Sequence, residues 1–213
     1  MAKIYFYKLT VDDGGAPCVS STLLSLAICK PMIRNSANVG DIIIGFAANS
    51  LHDDNRLIYV ARVTDRLEDG EYFKQQQFAA RGDCIYEWRG GRFVVRTGAM
   101  YHGSPDDLNH DIGEHAAYKR ANTLLSQEFC YFGVAGSDAY KREFPSVAKA
   151  VANLGQGHRV HHDLKLLGEL ERLATWACAL DGACIKGKAA GKPCRGVSHR
   201  GGGFGVAVRK GAC

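Results

Sequence analysis

Two apolar runs close together in the chain limit its folding options more than any other feature. "NVGDIIIGFAA" (38–48) is a polar turn leading into an unbroken β-branched run, and "RLIYVARVT" (56–64) follows after the loop "NSLHDDN". Runs this apolar and this short are strands buried on both faces. Their spacing predicts an antiparallel pair within a barrel or closed sheet. "KIYFYKL" (3–9) reads as a further strand, ending in the turn chemistry of "TVDDGGAP". "CIYEWRGGRFVVR" (84–96) reads as a hairpin, because Gly90 and Gly91 can supply the positive φ of a two-residue turn.

Helical signals fall between and after these strands. In "SSTLLSLAIC" (20–29), Leu23, Leu24, Ala27 and Ile28 follow serine caps at helical spacings. They predict a helix from about Ser21 to Cys29 that Pro31 closes. "EDGEYFKQQQFAARG" (68–82) reads as a helix, and residues 109–133 as an irregular or helical stretch ending in a strand near 129–132. Val147, Ala150, Val151 and Leu154 mark an amphipathic helix that ends at Gly155. Leu166, Leu167, Leu170, Leu173, Ala174 and Ala177 mark another. The expected fold class is α+β, a mainly antiparallel sheet or small barrel flanked by helices.

Charge separates the body from the end of the chain. The formal net charge is +5, but seven of the 27 basic residues and none of the 22 acidic ones lie in 185–213. The first 184 residues therefore carry 20 basic against 22 acidic side chains. Residues 1–184 are expected as one domain and 185–213 as a basic, glycine-rich, flexible tail in which only "FGVAV" suggests an edge strand. No apolar run approaches the ~20 residues that span a bilayer, so no membrane partner is expected. The first residues lack the zones of a secretory signal, which makes the cytoplasm the expected location. The eight cysteines include no C-x-x-C pair and are expected as reduced thiols. Cys178, Cys184, Cys194 and His199 match no zinc module, and no metal or cofactor is expected.

The candidate site residues are polar groups in turns. Asp12 and Asp13 precede two glycines, Lys30 and Arg34 bracket Pro31, and His158 and Arg159 follow "GQG". Arg34 and Arg159 suit a phosphate or carboxylate gripped bidentately, and Lys30 suits it as a point charge. Asp12 or Asp13 can accept from a base amine or a sugar hydroxyl. Asp13 and His158 are the acid/base candidates if there is chemistry. Each has a plainer reading: an Asx turn for the aspartates, and helix-end cations for Lys30 and Arg34. Cys29, beside a lysine, is either a nucleophile of lowered pKa or a small buried hydrophobe. The aromatics Tyr5, Tyr7, Phe46, Tyr86, Trp88, Tyr131 and Phe132 are either core or the stacking walls of a base pocket.

The series "DDGGAPCV", "LLSLAICKPMIR", "GDIIIGFAANSLHDDNRLIYVARVT", "RGDCIYEW", "RANTLLSQEFCYFG" and "LGQGHRVHHD" resembles the nucleotide modification associated domain 2 family, in order, over about residues 3–180. The resemblance implies a setting in DNA base modification and brings no catalytic assignment. The run "VGDIIIGF" with "RLIYVARVT" is also similar to domains of the PUA and EVE type, small barrels that hold a nucleobase, often a modified one. These likenesses imply a binder of a nucleotide or modified base, and the turn residues Asp12, Asp13, Lys30, Arg34, His158 and Arg159 are expected as its polar lining. Its partners would be a nucleotide or DNA with an unpaired or modified base, and the modifying enzymes. The alternatives are an enzyme of nucleotide or base modification, or a nucleic-acid tether working through the basic tail.

Overall fold

The computed structural model describes residues 2–180 and 184–190. In chain order the strands are β1 (Ile4–Leu9), β2 (Cys18–Ser20), β3 (Leu23–Leu26), β4 (Ile42–Ala47), β5 (Leu57–Arg62), β6 (Asp65–Leu67), β7 (Tyr86–Arg89), β8 (Arg92–Val95), β9 (Thr123–Ser126), β10 (Glu128–Tyr131) and β11 (His158–Arg159). The helices are α1 (Pro31–Ser36), α2 (Glu71–Lys74), α3 (Pro105–Ile112), α4 (Tyr140–Glu143), α5 (Pro145–Ala152) and α6 (Leu164–Ala179).

The two apolar runs do pair antiparallel, as β4 and β5 in the middle of a five-stranded sheet of order β10-β5-β4-β1-β11. Both of its faces are covered, which is why the runs are apolar without alternation. In β1, Ile4 and Phe6 pack with α5 and α6, while Tyr5, Tyr7 and Leu9 pack on the opposite side with Leu24, Leu26 and Leu124. Gly45 marks a register shift in β4, and a Cβ there would lie 2.3 Å from the Tyr59 ring. A second, four-stranded antiparallel sheet has the order β2-β3-β9-β6. The β7–β8 hairpin turns at Gly90 and Gly91, whose φ values of 59° and 80° are those a two-residue turn demands.

The fold class is α+β, with two corrections. β1 and β4 run parallel, so the large sheet is mixed, and no sheet of the described residues closes into a barrel. The parallel pair forces a long crossover between them, and that crossover carries β2, β3 and α1.

The helix expected from about Ser21 to Cys29 is instead the β2–β3 hairpin, and Pro31 opens α1 rather than closing a helix. Ser25 explains the difference. It faces away from Leu24 and Leu26, yet is fully buried, because its hydroxyl meets Asp83 Oδ2 at 2.5 Å and Arg81 Nη2 at 2.7 Å. A strand buried on both sides loses its period of two, and its leucines then imitate helical spacing. Pro31 sits at the first helical position, where its missing N–H costs nothing.

The helix expected over 68–82 shortens to α2 and a 3₁₀ turn at Gln76–Phe78. Of the stretch expected as a basic tail, residues 185–190 lie against the body. Lys186 N–H donates to Tyr131 O, and Ala190 N–H donates to Asp12 O. Most of the tail, including "FGVAV", Cys194 and His199, lies outside the described residues. Among the described residues no helix is long and apolar enough to cross a membrane.

Candidate functional site

The chain leaves β3 through Ala27 and Ile28, both buried, and then bends through two consecutive residues in the left-handed region, Cys29 (φ 55°) and Lys30 (φ 43°). Neither is glycine, and such conformations cost on the order of 1–3 kcal/mol each unless their surroundings hold them. Arg34, one turn into α1, does much of the holding. Its Nε donates to Cys29 O (2.6 Å), its Nη1 to Arg120 O (2.7 Å) and Asn122 O (2.6 Å), and its Nη2 to Asp111 O (2.6 Å). The side chain is 0% exposed. It ties the bend after β3 to the end of α3 and the entry to β9.

The strained bend turns Cys29 toward a histidine and an aspartate from other parts of the chain. Cys29 Sγ lies 3.4 Å from His102 Nε2, and His102 Nδ1 lies 2.5 Å from Asp111 Oδ2. Asp111 Oδ1 accepts from the Cys29 backbone N–H at 2.8 Å, and Oδ2 also accepts from the Tyr86 hydroxyl at 2.8 Å. His102 is itself left-handed (φ 44°), a third strained residue at one locus. α3 places Asp111 through a capping box at Ser104, with Pro105 as its first residue.

The charges suit a relay. Burial disfavours charge on Asp111 and His102 alike, but each stabilises the other. The His102 contacts, Arg34 and the Tyr86 hydroxyl hold Asp111 below the usual carboxylate range. For His102, Asp111 and Cys29 outweigh burial and raise the imidazole to about 10. At neutral pH His102 is an imidazolium between a carboxylate and a sulfur. A thiol, an imidazole and a carboxylate in this order make up a nucleophile, its proton carrier and the group that orients the carrier.

The same three side chains are close enough to share a metal ion. Asp111 Oδ2 and His102 Nδ1 already engage each other, and Cys29 Sγ faces His102 Nε2, so the three side chains satisfy one another in the order of a relay.

Cys29 lines a cavity of about 570 Å³, within the range of small-ligand pockets. Lys30, Lys8, His110 and His158 also line it, with Asn49 and Thr10. Burial lowers the Lys30 pKa, with Cys29 opposing, and burial together with Lys30 lowers that of His158. Lys30 Nζ sits 5.0 Å above the Tyr7 ring.

The six residues expected to form one lining are dispersed. Lys30 and His158 share the cavity. Asp13 borders a small adjoining cleft that Cys29 and Lys30 also line, with its Oδ1 accepting from Gly15 N–H. Arg159 turns the other way on β11 and donates to His161 O. Arg34 is spent on backbone carbonyls. Asp12 is buried, and both its oxygens accept from the Tyr131 hydroxyl. Of the aromatics, Tyr5, Tyr7, Phe46, Tyr86 and Tyr131 are core side chains.

Asp12 yields a stability prediction. Burial, with Asp13 adding and the Tyr131 hydroxyl opposing, raises its pKa to about 6. A carboxyl raised in the fold destabilises it when ionised. The penalty is absent below the unfolded value near 4, grows as pH rises toward 6, and is complete above that. Asp12→Asn should therefore stabilise the protein at pH 7.5 by about 1–3 kcal/mol and flatten the pH dependence between about 4 and 6. Urea denaturation at pH 4, 6 and 7.5 measures this. A variant less stable at pH 7.5 would show that the ionised form bonded to Tyr131 is the favoured one.

His102 and Asp111 were not among the expected site residues. The chain has eight histidines and 22 acids, and nothing local sets these two apart. The available signal was Cys29 itself, at the end of an apolar run and before a proline, where a chain emerging from a sheet presents a side chain at a helix start.

The sequence model of the family described as nucleotide modification associated domain 2 matches residues 1–193. No curated protein and no solved structure matches the chain. The match spans both sheets, the β7–β8 hairpin and all of the relay, and on that extent the chain belongs to the nucleotide modification associated domain 2 family.

Proposed function

We propose that this protein is a thiol enzyme of nucleotide or nucleobase modification, with Cys29 as nucleophile, His102 as proton carrier and Asp111 as the residue that positions the imidazole. The carrying observation is the Cys29–His102–Asp111 chain of contacts at the wall of a ligand-sized cavity. The family supplies the setting. A binder of modified bases needs an oriented cavity but no relay, and strain at three non-glycine residues around one thiol is characteristic of sites where chemistry is done.

The reaction class that suits the arrangement is acyl transfer or hydrolysis at a carbonyl carried by the base or nucleotide. With its proton on His102, Sγ bonds to the carbonyl carbon, the bond to the leaving amine or alcohol breaks, and His102 gives that group the proton. Water or an acceptor amine then attacks the thioester and gives a proton to His102, and the C–S bond breaks to free the thiolate beside the imidazolium. Of the acid/base residues expected from sequence, His158 lines the same cavity and Asp13 lines the small cleft beside it that Cys29 also lines. If the target is polymeric, the base must be unpaired or flipped to enter.

Nucleotides carrying carboxamide, ester or N-acyl groups on the base, incubated with the wild type and with Cys29→Ser, test this. Release of amine or alcohol and a thioester mass on the Cys29 peptide are expected from the wild type alone. Tight binding without turnover in both proteins would make this a binding domain instead.

A further inference from the structure

The cavity beside Cys29 has an unusual balance of charge. Lys8, Lys30, His110 and His158 line it, and among the described residues no aspartate or glutamate does. Neither Lys8 nor Lys30 has an ion pair among the described residues, although nine other cationic groups do. Lys30 is half-buried on a strained backbone against the Tyr7 ring, so its ammonium is held in place rather than extended into solvent. Lysine is rarely buried without a partner, and a desolvated cation with no carboxylate is stabilised by whatever anion enters. Asn49, Thr10 and Gln156 add hydrogen-bonding groups to the lining, Gln156 from between Gly155 and Gly157.

We propose that this cavity takes its ligand by a phosphate group held by Lys30 and Lys8, with His158 on the same wall, so that the thiol acts on nucleotides and not on nucleosides or free bases. This deepens the reading of the same site and rests on it for the substrate's identity, but the anion selectivity stands on the lining. The phosphate belongs either to a free nucleotide or to a strand of DNA, and both present the same chemistry to the two lysines. A base attached to that phosphate extends toward Cys29, the immediate neighbour of Lys30.

Charge-selective alkylation tests this in the intact protein. Rates of modification at Cys29 by iodoacetate, an anion, and by neutral iodoacetamide are read by mass spectrometry and divided by those of glutathione under the same conditions. Iodoacetate should gain over iodoacetamide by about tenfold relative to glutathione, and the gain should fall in Lys30→Gln and Lys8→Gln. Inorganic phosphate and deoxynucleoside 5′-monophosphates should protect Cys29 in the wild type, whereas the matching nucleosides should not. Protection by the monophosphates indicates a free nucleotide, and protection by a single-stranded oligonucleotide alone indicates a strand. A reagent ratio equal to that of glutathione, with equal protection by nucleosides and nucleotides, would overturn the proposal.

The thiol reading fails separately. If Cys29 reacts with iodoacetamide no faster than glutathione does, the relay is inert. Calorimetry of monophosphate against nucleoside binding to Cys29→Ser then still decides the phosphate.

Discussion

His102→Ala is expected to slow turnover by about 10²- to 10⁴-fold and to remove any selective reactivity of Cys29 toward iodoacetamide at pH 7. The imidazole lies within reach of the sulfur and can carry a proton to a leaving group, and its alignment depends on Asp111. Asp111→Asn should give a similar loss with a folded protein, because the amide can still accept from Cys29 N–H but cannot stabilise an imidazolium. A pH series distinguishes this relay from mere packing. His102 is raised in the folded state to about 10 from an unfolded value near 6.5. Its stabilisation is therefore complete below about pH 6.5 and is lost as pH rises through about 10. Chemical denaturation between pH 6 and 10 should show this decline in the wild type and not in His102→Asn. Unchanged Cys29 reactivity in both His102→Ala and Asp111→Asn would return Cys29 to the role of a small buried side chain.

Arg34→Met should cost more than any other substitution in the chain's stability. Four carbonyls, from Cys29, Asp111, Arg120 and Asn122, that of Asp111 buried and the others partly so, lose their donors at once. A hydrogen bond from a charged donor contributes about 1.5–3 kcal/mol, and an orphaned buried carbonyl costs about 1–3 kcal/mol. The loss should exceed about 4 kcal/mol, a large part of a total that is typically about 5–15 kcal/mol. The melting temperature should fall by about 8–16 °C or the protein should fail to accumulate, since 1 kcal/mol is about 2–4 °C in a chain of this size. Arg34→Lys should be nearly as damaging, because one ammonium cannot span four carbonyls in a planar fork. A variant that melts like the wild type but no longer binds phosphate would return Arg34 to the ligand-gripping role that the sequence suggests.

The legible parts of the sequence were those where one physical signal dominated. The β4 and β5 runs had no competing reading, and Gly90-Gly91 between aromatic strands has one simple solution. The stripes of α5 and α6 each face a single core, so their period survives. The β2–β3 hairpin was illegible because Ser25 is a buried polar residue whose partners, Arg81 and Asp83, lie more than 50 positions away. Charge raised the same difficulty at the site. Lysine and arginine look alike as anion holders in "KPMIR", but Lys30 stands at the cavity and Arg34 is buried behind it. His102 and Asp111 reach Cys29 only through tertiary structure, across 73 and 82 positions.

The whole relay sits at one core. Cys29 packs against the cluster of Ala27, Ile28, Tyr72, Phe73, Tyr86, Phe93 and Ile112, and His102 and Asp111 neighbour its Tyr101 and Ile112, a core separate from those on either face of the large sheet. Cores that are packed separately can open separately, at less cost than global unfolding. Loosening of this one corner frees Cys29 and its partners together while β1, β4 and β5 remain paired. On heating, any selective reactivity of Cys29 is then expected to be lost before the central sheet melts.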